Sequence, residues 1–307
     1  MSASQPSASP SQWKIWLATT RPKTLFAALA PVLMGASMAW ERARGLNYPI
    51  FLLTLATATA IQIGTNFCND VFDHRQGADT EARQGPRRGL QSGIISFRAM
   101  VTATAGTFLL AAGLSVLLFL HGGMPIFWIA TASILSGVFY TAGRRSLAYT
   151  GMADLFVIVF FGPVATAGTY YLQFPYAWPP WEVLVVGLGP GLIATALLTV
   201  NNLRDIDEDR SNRKQTLAVR FGAAFARAEY RVCLTLALLL PPWMAVMTGR
   251  SWTVLLLWVM FPQALKLMRR VQTGTSGPEL NPVLGATGKM LLKYALLFSI
   301  TWPAAGA

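Results

Sequence analysis

The feature that most constrains this chain is a succession of apolar runs, each close to the length of a membrane-crossing helix. Nine can be read, at about 22–40, 48–70, 98–120, 123–142, 150–173, 182–204, 228–248, 252–268 and 287–305. A helix needs ~20 apolar residues to cross the hydrocarbon core. The runs are continuous rather than alternating, which predicts helices and excludes a membrane β-barrel. The expected fold class is therefore an all-α polytopic membrane protein with nine transmembrane helices. Residues 1–12 are rich in Ser, Pro and Ala and are expected to be a disordered tail; 13–307 are expected to form one transmembrane domain. The first run follows Lys14, Arg21 and Lys23, and Ser37-Met38-Ala39 is similar to a signal-peptidase site. Pro31 interrupts that run and further spans follow, which favours a first span over a cleaved leader.

Only 12% of the residues are charged, about half the usual share for a soluble domain. The net charge of +12 would suggest nucleic acid in a soluble chain. Here the basic residues lie between the spans, so membrane topology explains them and no nucleic-acid partner is expected. On the nine-span reading, twenty-two Lys and Arg fall on one side and three (Arg42, Arg44 and Arg250) on the other. The positive-inside rule then puts the N-terminus in the cytoplasm and the C-terminus outside a cell (inner) membrane. The outer loop 174–182 (FPYAWPPWE) fits an interfacial aromatic belt. Two cysteines, Cys68 and Cys233, form no metal or disulfide pattern, and His74 and His121 are too few for a histidine metal site.

One pattern repeats. The second span ends in Asn66, Asp70 and Asp73, and the sixth in Asn201, Asp205 and Asp209. The two motifs lie four spans apart, which puts them on the same side of the membrane and suggests a parallel four-helix repeat plus a ninth helix. At ~100° per residue the first triad falls within an arc of ~60° and the second within ~80°. Each is an acidic stripe at the cytoplasmic mouth of an apolar helix, where ionisable groups are costly and mark function. Clustered carboxylates suit Mg²⁺, which pairs one or two carboxylates with substrate phosphates. Asp207 and Glu208 leave the stripe and are expected to be solvated. Asp79 is either a ligand or surface. Gly189-Pro190-Gly191 points to a kink or to packing, and Tyr140 is either an interfacial aromatic or a catalytic residue. The flanking loops 77–93 and 210–220 are rich in Arg and Lys, groups suited to phosphate oxygens. Arg75, Arg98, Arg227 and Arg231 read as topology markers. A transporter would also use repeats and intramembrane charge, but the stripes lie at the helix ends beside basic loops.

These residues carry a resemblance. Asn69-Asp70 with Asp73, the Arg-Gln-Gly-Pro-Arg-Arg-Gly stretch at 83–89, and Asn201–Asp209 with Thr216-Leu217-Ala218-Val219-Arg220 resemble the UbiA superfamily of intramembrane prenyltransferases. The likeness runs from Arg21-Pro22-Lys23-Thr24 through 140–154 (YTAGRRSLAYTGMAD) to Leu280-Asn281-Pro282. It implies a UbiA-like bundle around a cavity open to the membrane, and Mg²⁺ held by Asp70, Asp73, Asp205 and Asp209. It places Asn66 and Asn201 beside the metal, with diphosphate contacts from Arg21, Arg83, Arg88, Arg145 and Lys214; Tyr140 stands beside them as a catalytic candidate read from its position alone. It further implies transfer of a polyprenyl group from polyprenyl diphosphate to an aromatic acceptor. The loops are closest to the branch acting on 1,4-dihydroxy-2-naphthoate with loss of CO₂, rather than on 4-hydroxybenzoate or haem. The chain departs from the pattern twice: Arg213-Lys214-Gln215-Thr216 stands where the family usually has Gly-Lys-Arg/Lys-Thr, and Arg87 is an extra neighbour of Arg88.

Overall fold

The computed structural model describes residues 11–77, 89–143, 146–250, 252–272 and 277–305. Among these, every regular element is helical. A short α1 (Gln12–Thr19) leads into α2 (Pro22–Ala43), α3 (Tyr48–Arg75), α4 (Phe97–Gly122) and α5 (Met124–Phe139). After a single turn, α6 (Leu147–Thr150), the chain enters α7 (Ala153–Val159), which continues through a π-helical segment, Phe160–Val164, into α8 (Ala165–Gln173). Then come α9 (Trp181–Arg204), the short α10 (Ile206–Ser211), α11 (Leu217–Thr248), α12 (Phe261–Gln272) and α13 (Asn281–Ala305).

Local chemistry sets the boundaries. Asn47, Ser96 and Thr216 cap α3, α4 and α11 by accepting from the backbone N–H three residues on. Gly123, at φ 69°, turns the chain between α4 and α5 in a conformation that glycine adopts without strain. Gly222, at φ 85°, separates a first turn of α11 from the long helix beyond it.

Among the described residues, seven helical segments are long and apolar enough to cross a membrane: Pro22–Ala43, Tyr48–Arg75, Phe97–Gly122, Ala153–Gln173, Trp181–Arg204, Leu217–Thr248 and Gly277–Ala304. The expected count of nine is thus not met on length and composition alone. The two expected spans outside this set are α5, apolar but only 16 residues long, and the 252–268 run. The latter is a 3₁₀ helix, Trp252–Met260, followed by α12. Their combined rise is about 36 Å, so the pair can reach across a bilayer despite its poor match to a single α-helix.

α9 is the centre of the bundle. It packs against α11, α13, α7 and α2, while α4 lies at the edge beside α3 and α5. Leu109, Leu110, Val116, Leu117 and Leu120 of α4 are exposed, an apolar surface that only lipid would cover. Tyr176 and Trp178 stand exposed in the loop between α8 and α9. The contact of α9 with the α7 segment is made by glycines. A Cβ on Gly191 would lie 2.4 Å from the Ile158 carbonyl oxygen, and one on Gly162 would lie 2.8 Å from that of Gly187. Small residues let the two backbones approach, as in membrane helix pairs generally. α9 continues through Pro190, so the Gly-Pro-Gly element serves packing. Cys68 and Cys233 are buried and free.

Candidate active site

Both acidic stripes open on one central cavity of about 190 Å³. The first stripe occupies the last turns of α3; the second spans the junction of α9 and α10, where the helix breaks at Asp205. Asp70, Asp73, Asp205 and Asp209 are all buried. Their charges are matched by buried or partly buried cations, as buried ions require.

Arg21 donates from Nη2 to Asp70 Oδ1 at 2.6 Å. Arg21 itself has φ 52°, a left-handed conformation just before Pro22 opens α2, and strained backbone of this kind clusters at functional sites. Lys214 Nζ lies 3.2 Å from Asp73 Oδ1 and 3.7 Å from Asp209 Oδ1. Its backbone N–H donates to the Asp209 carbonyl at 2.9 Å, which folds the 210–216 loop back over the site. The Asp209 carboxyl is pushed up to about 7, mainly by burial; Lys214 opposes this, and Asp205, Asp73 and Glu208 reinforce it.

Arg204 donates from Nε and Nη2 to the two oxygens of Asp205, at 2.7 and 2.6 Å. It also donates to Asn201 Oδ1 at 2.8 Å and to Asn281 Oδ1 at 2.9 Å. Asn66 donates to the Thr20 carbonyl at 2.9 Å and to Thr24 Oγ1 at 3.2 Å, tying α3 to the start of α2. Thr141 donates to Asn69 Oδ1, joining the end of α5 to the first stripe.

The expected residues mostly converge. Arg21, Asn66, Asp73, Tyr140, Asn201, Asp205, Asp209 and Lys214 line the cavity. Asp70 stands behind Arg21 rather than on the wall. Asp207 is exposed and pairs with Arg210 at 2.9 Å, as a solvated role demands, whereas Glu208 is half-buried on the cavity rim. Asp79, Arg83, Arg87, Arg88, Arg144 and Arg145 lie outside the described residues. Three groups were not singled out from the sequence: Arg204, counted there as one topology charge among many; Asn281, quoted only within a motif; and Asp154, the last residue of another. A basic residue inside an acidic motif, directly before Asp205, was the available signal for Arg204.

Hard oxygen donors facing one cavity suit Mg²⁺. Among the described residues no three carboxylate, histidine or cysteine groups form a closed metal cage. Beside this polar cavity lies an apolar one of about 120 Å³, sharing Gln62, Thr65, Tyr140, Val157 and Phe161 with it.

A bundle of membrane helices, two facing acidic stripes, the basic Arg21 and Lys214 between them and an adjoining apolar cavity together have the arrangement of an intramembrane enzyme. The chain belongs to the UbiA prenyltransferase family, which it matches over residues 28–277. It is 36% identical to the 1,4-dihydroxy-2-naphthoate octaprenyltransferase of Haemophilus influenzae, covering 94% of this chain and 95% of that one. It is 35% identical to the enzyme of the same name from Escherichia coli, covering 94% of each. The fold matches a UbiA homolog from Archaeoglobus fulgidus solved with DMAPP and Mg²⁺, with TM-score 0.64 and 16% identity over 93% of this chain and 99% of that one. It also matches an apo UbiA homolog from Aeropyrum pernix K1, with TM-score 0.67 and 14% identity over 91% and 96%.

Proposed function

We propose that this protein transfers a polyprenyl group from polyprenyl diphosphate to 1,4-dihydroxy-2-naphthoate, releasing CO₂ and diphosphate and giving demethylmenaquinol. The observation that carries the reading is the pair of acidic stripes joined by Lys214 at the mouth of a cavity that turns apolar within the membrane. The acceptor rests on the relatives named 1,4-dihydroxy-2-naphthoate octaprenyltransferase, which match nearly the whole chain.

Asp70, Asp73, Asp205 and Asp209, with Asn66 and Asn201 beside them, would hold Mg²⁺. When bound, that ion would stabilise the negative charge that builds on the leaving diphosphate. Arg21 and Lys214 add fixed positive charge at the same place, and Arg83, Arg88 and Arg145 are assigned to the diphosphate with them. The allylic C–O bond breaks with its electron pair passing to the diphosphate. The apolar walls and Tyr140 keep water from the allylic cation. The ring carbon that bears the carboxylate then bonds to the allylic carbon; its bond to the carboxylate breaks, CO₂ departs, and that electron pair restores aromaticity.

The enzyme would sit in the cell (inner) membrane with its N-terminus and both stripes on the cytoplasmic side and its C-terminus outside, which requires the nine-crossing count. Two single-cysteine variants, Tyr176→Cys and Asp207→Cys, made with Cys68 and Cys233 replaced by Ser, test the sidedness. An impermeant thiol reagent added to intact cells should label position 176 and spare 207. A reporter fused to each end tests the count, because active reporters on the same side would rule out nine crossings.

The activity is tested with purified protein, Mg²⁺ and one polyprenyl diphosphate, with 1,4-dihydroxy-2-naphthoate and 4-hydroxybenzoate in competition. Naphthoate product should dominate, with one CO₂ released per product. A 4-hydroxybenzoate product that retains its carboxylate would overturn the acceptor assignment.

A further inference from the structure

One buried carboxylate stands apart from the two stripes. Asp154, in the first turn of α7, is 5% exposed and lines the central cavity. Neither of its carboxylate oxygens finds a hydrogen-bond partner beyond the residue's own backbone N–H. Among the described residues, the cations that line the same cavity are committed elsewhere, Arg21 to Asp70 and Lys214 to Asp73 and Asp209. Burying such a group unpaired is costly, and a native structure that does so asks for an explanation. Glu229 of α11 does not share the position: it is only half-buried and does not line the cavity.

The surroundings of Asp154 have a definite chemistry. Val157 and Phe161 follow it along the same segment, and both line the polar cavity and the apolar one beside it. Phe156 and Phe160 complete the apolar wall, stacked with ring centroids 5.6 Å apart and planes 5° from parallel. A hydrogen-bond acceptor at the polar edge of an aromatic-lined slot fits a flat apolar ring that carries a hydroxyl donor.

We propose that Asp154 is the acceptor-recognition residue, taking a hydrogen bond from a ring hydroxyl of the aromatic substrate while Val157 and Phe161 pack against the ring. This rests on the naphthoate reading above. The hydrogen bond enriches the ring in electrons. As the ring pair forms the bond to the allylic carbon, the hydroxyl proton passes to Asp154. When CO₂ leaves and its bonding pair returns to the ring, the proton returns to the oxygen. No base outside the site is consumed, and no oxidant or reductant is needed.

The test is a coupling cycle. Wild type, Asp154→Ala, Asp154→Asn and Asp154→Glu are each assayed with 1,4-dihydroxy-2-naphthoate, 1-hydroxy-2-naphthoate and 4-hydroxy-2-naphthoate. A site built to bind a hydroxyl discriminates strongly against its loss, so Asp154→Ala should lower kcat/KM for the dihydroxy substrate by about 100-fold. KM for polyprenyl diphosphate should stay unchanged, and the melting temperature in detergent should not fall, because an unpaired buried carboxylate is removed. On one of the two monohydroxy compounds, wild type and Asp154→Ala should be equal within about threefold, because the bond is already absent. Asp154→Glu should recover part of the loss. If Asp154→Ala does not fold, Asp154→Leu, of similar size and with no acceptor, carries the same comparison, while Asp154→Asn keeps an acceptor and loses only the proton-accepting charge. Equal losses on all three acceptors, or a raised KM for polyprenyl diphosphate, would overturn the proposal while leaving the naphthoate activity standing. A wild-type enzyme inert toward all three acceptors would overturn both.

Discussion

Lys214 joins the two acidic stripes, its ammonium 3.2 Å from Asp73 on α3 and 3.7 Å from Asp209 on α10. One side chain thus gathers carboxylates from motifs four spans apart in the chain around a single point. Its side chain is only 14% exposed, so the attraction is little screened by water.

Replacing Lys214 by Met should therefore do more than remove one phosphate contact. It leaves two buried carboxylates facing each other, and kcat/KM for polyprenyl diphosphate should fall by about 10²–10³-fold. Lys214→Arg keeps the charge but not the compact ammonium, and should recover only part. Initial rates against polyprenyl diphosphate at saturating Mg²⁺ measure this; a normal rate in Lys214→Met would take the residue out of the site.

Asp70→Asn and Asp205→Asn should each abolish turnover in folded protein, and chelation of divalent metal should do the same reversibly. Asp207→Asn is the internal control. Its carboxylate is 89% exposed and pairs with the exposed Arg210, so its loss should change rates less than about twofold, in line with the small worth of exposed ion pairs. Equal damage at 205 and 207 would refute the helical-face argument.

Arg204 is a stability prediction. It is buried, and its guanidinium holds Asp205, Asn201 and Asn281 together. Arg204→Leu leaves Asp205 buried and uncompensated, which should destabilise the protein by about 3–5 kcal/mol. Asn281→Ala removes one bond to a charged donor and should cost about 1.5–3 kcal/mol. Thermal unfolding in detergent should rank them in that order, and an Arg204→Leu protein as stable as wild type would contradict it.

Arg213 stands where the family usually has glycine, and its φ is 59°, the left-handed region that favours glycine. Arg213→Gly should relieve this strain and stabilise the fold by about 1 kcal/mol. The same unfolding assay reads it; destabilisation would mean that the arginine side chain makes a compensating interaction.

The family's missing glycine shows how sequence and structure complement each other. The substitution at 213 was visible in the chain, but only the backbone shows that the left-handed turn is kept with arginine in it. The two acidic stripes were likewise legible, since a helix turning ~100° per residue puts Asn66, Asp70 and Asp73 on one face whatever surrounds it. The count of nine spans was less secure, because 252–272 winds partly as 3₁₀ helix and α5 is short.

The sequence alone determined the membrane class, most span limits, the helical faces that carry the acids and the family likeness. These are local properties: in hydrocarbon each backbone group must be satisfied within its own segment, so a long apolar run specifies a helix by itself. Only the tertiary structure decided which charge meets which. Arg21 finds Asp70 at a separation of 49 residues, and Arg204 finds Asn281 at 77. Helical periodicity says which face a residue occupies but not which helix lies opposite, so Arg204 read as a topology charge and Asp154 as the end of a motif. Packing around the glycines of α9 sets those neighbours, and with them the shape of the cavity where the chemistry is proposed to occur.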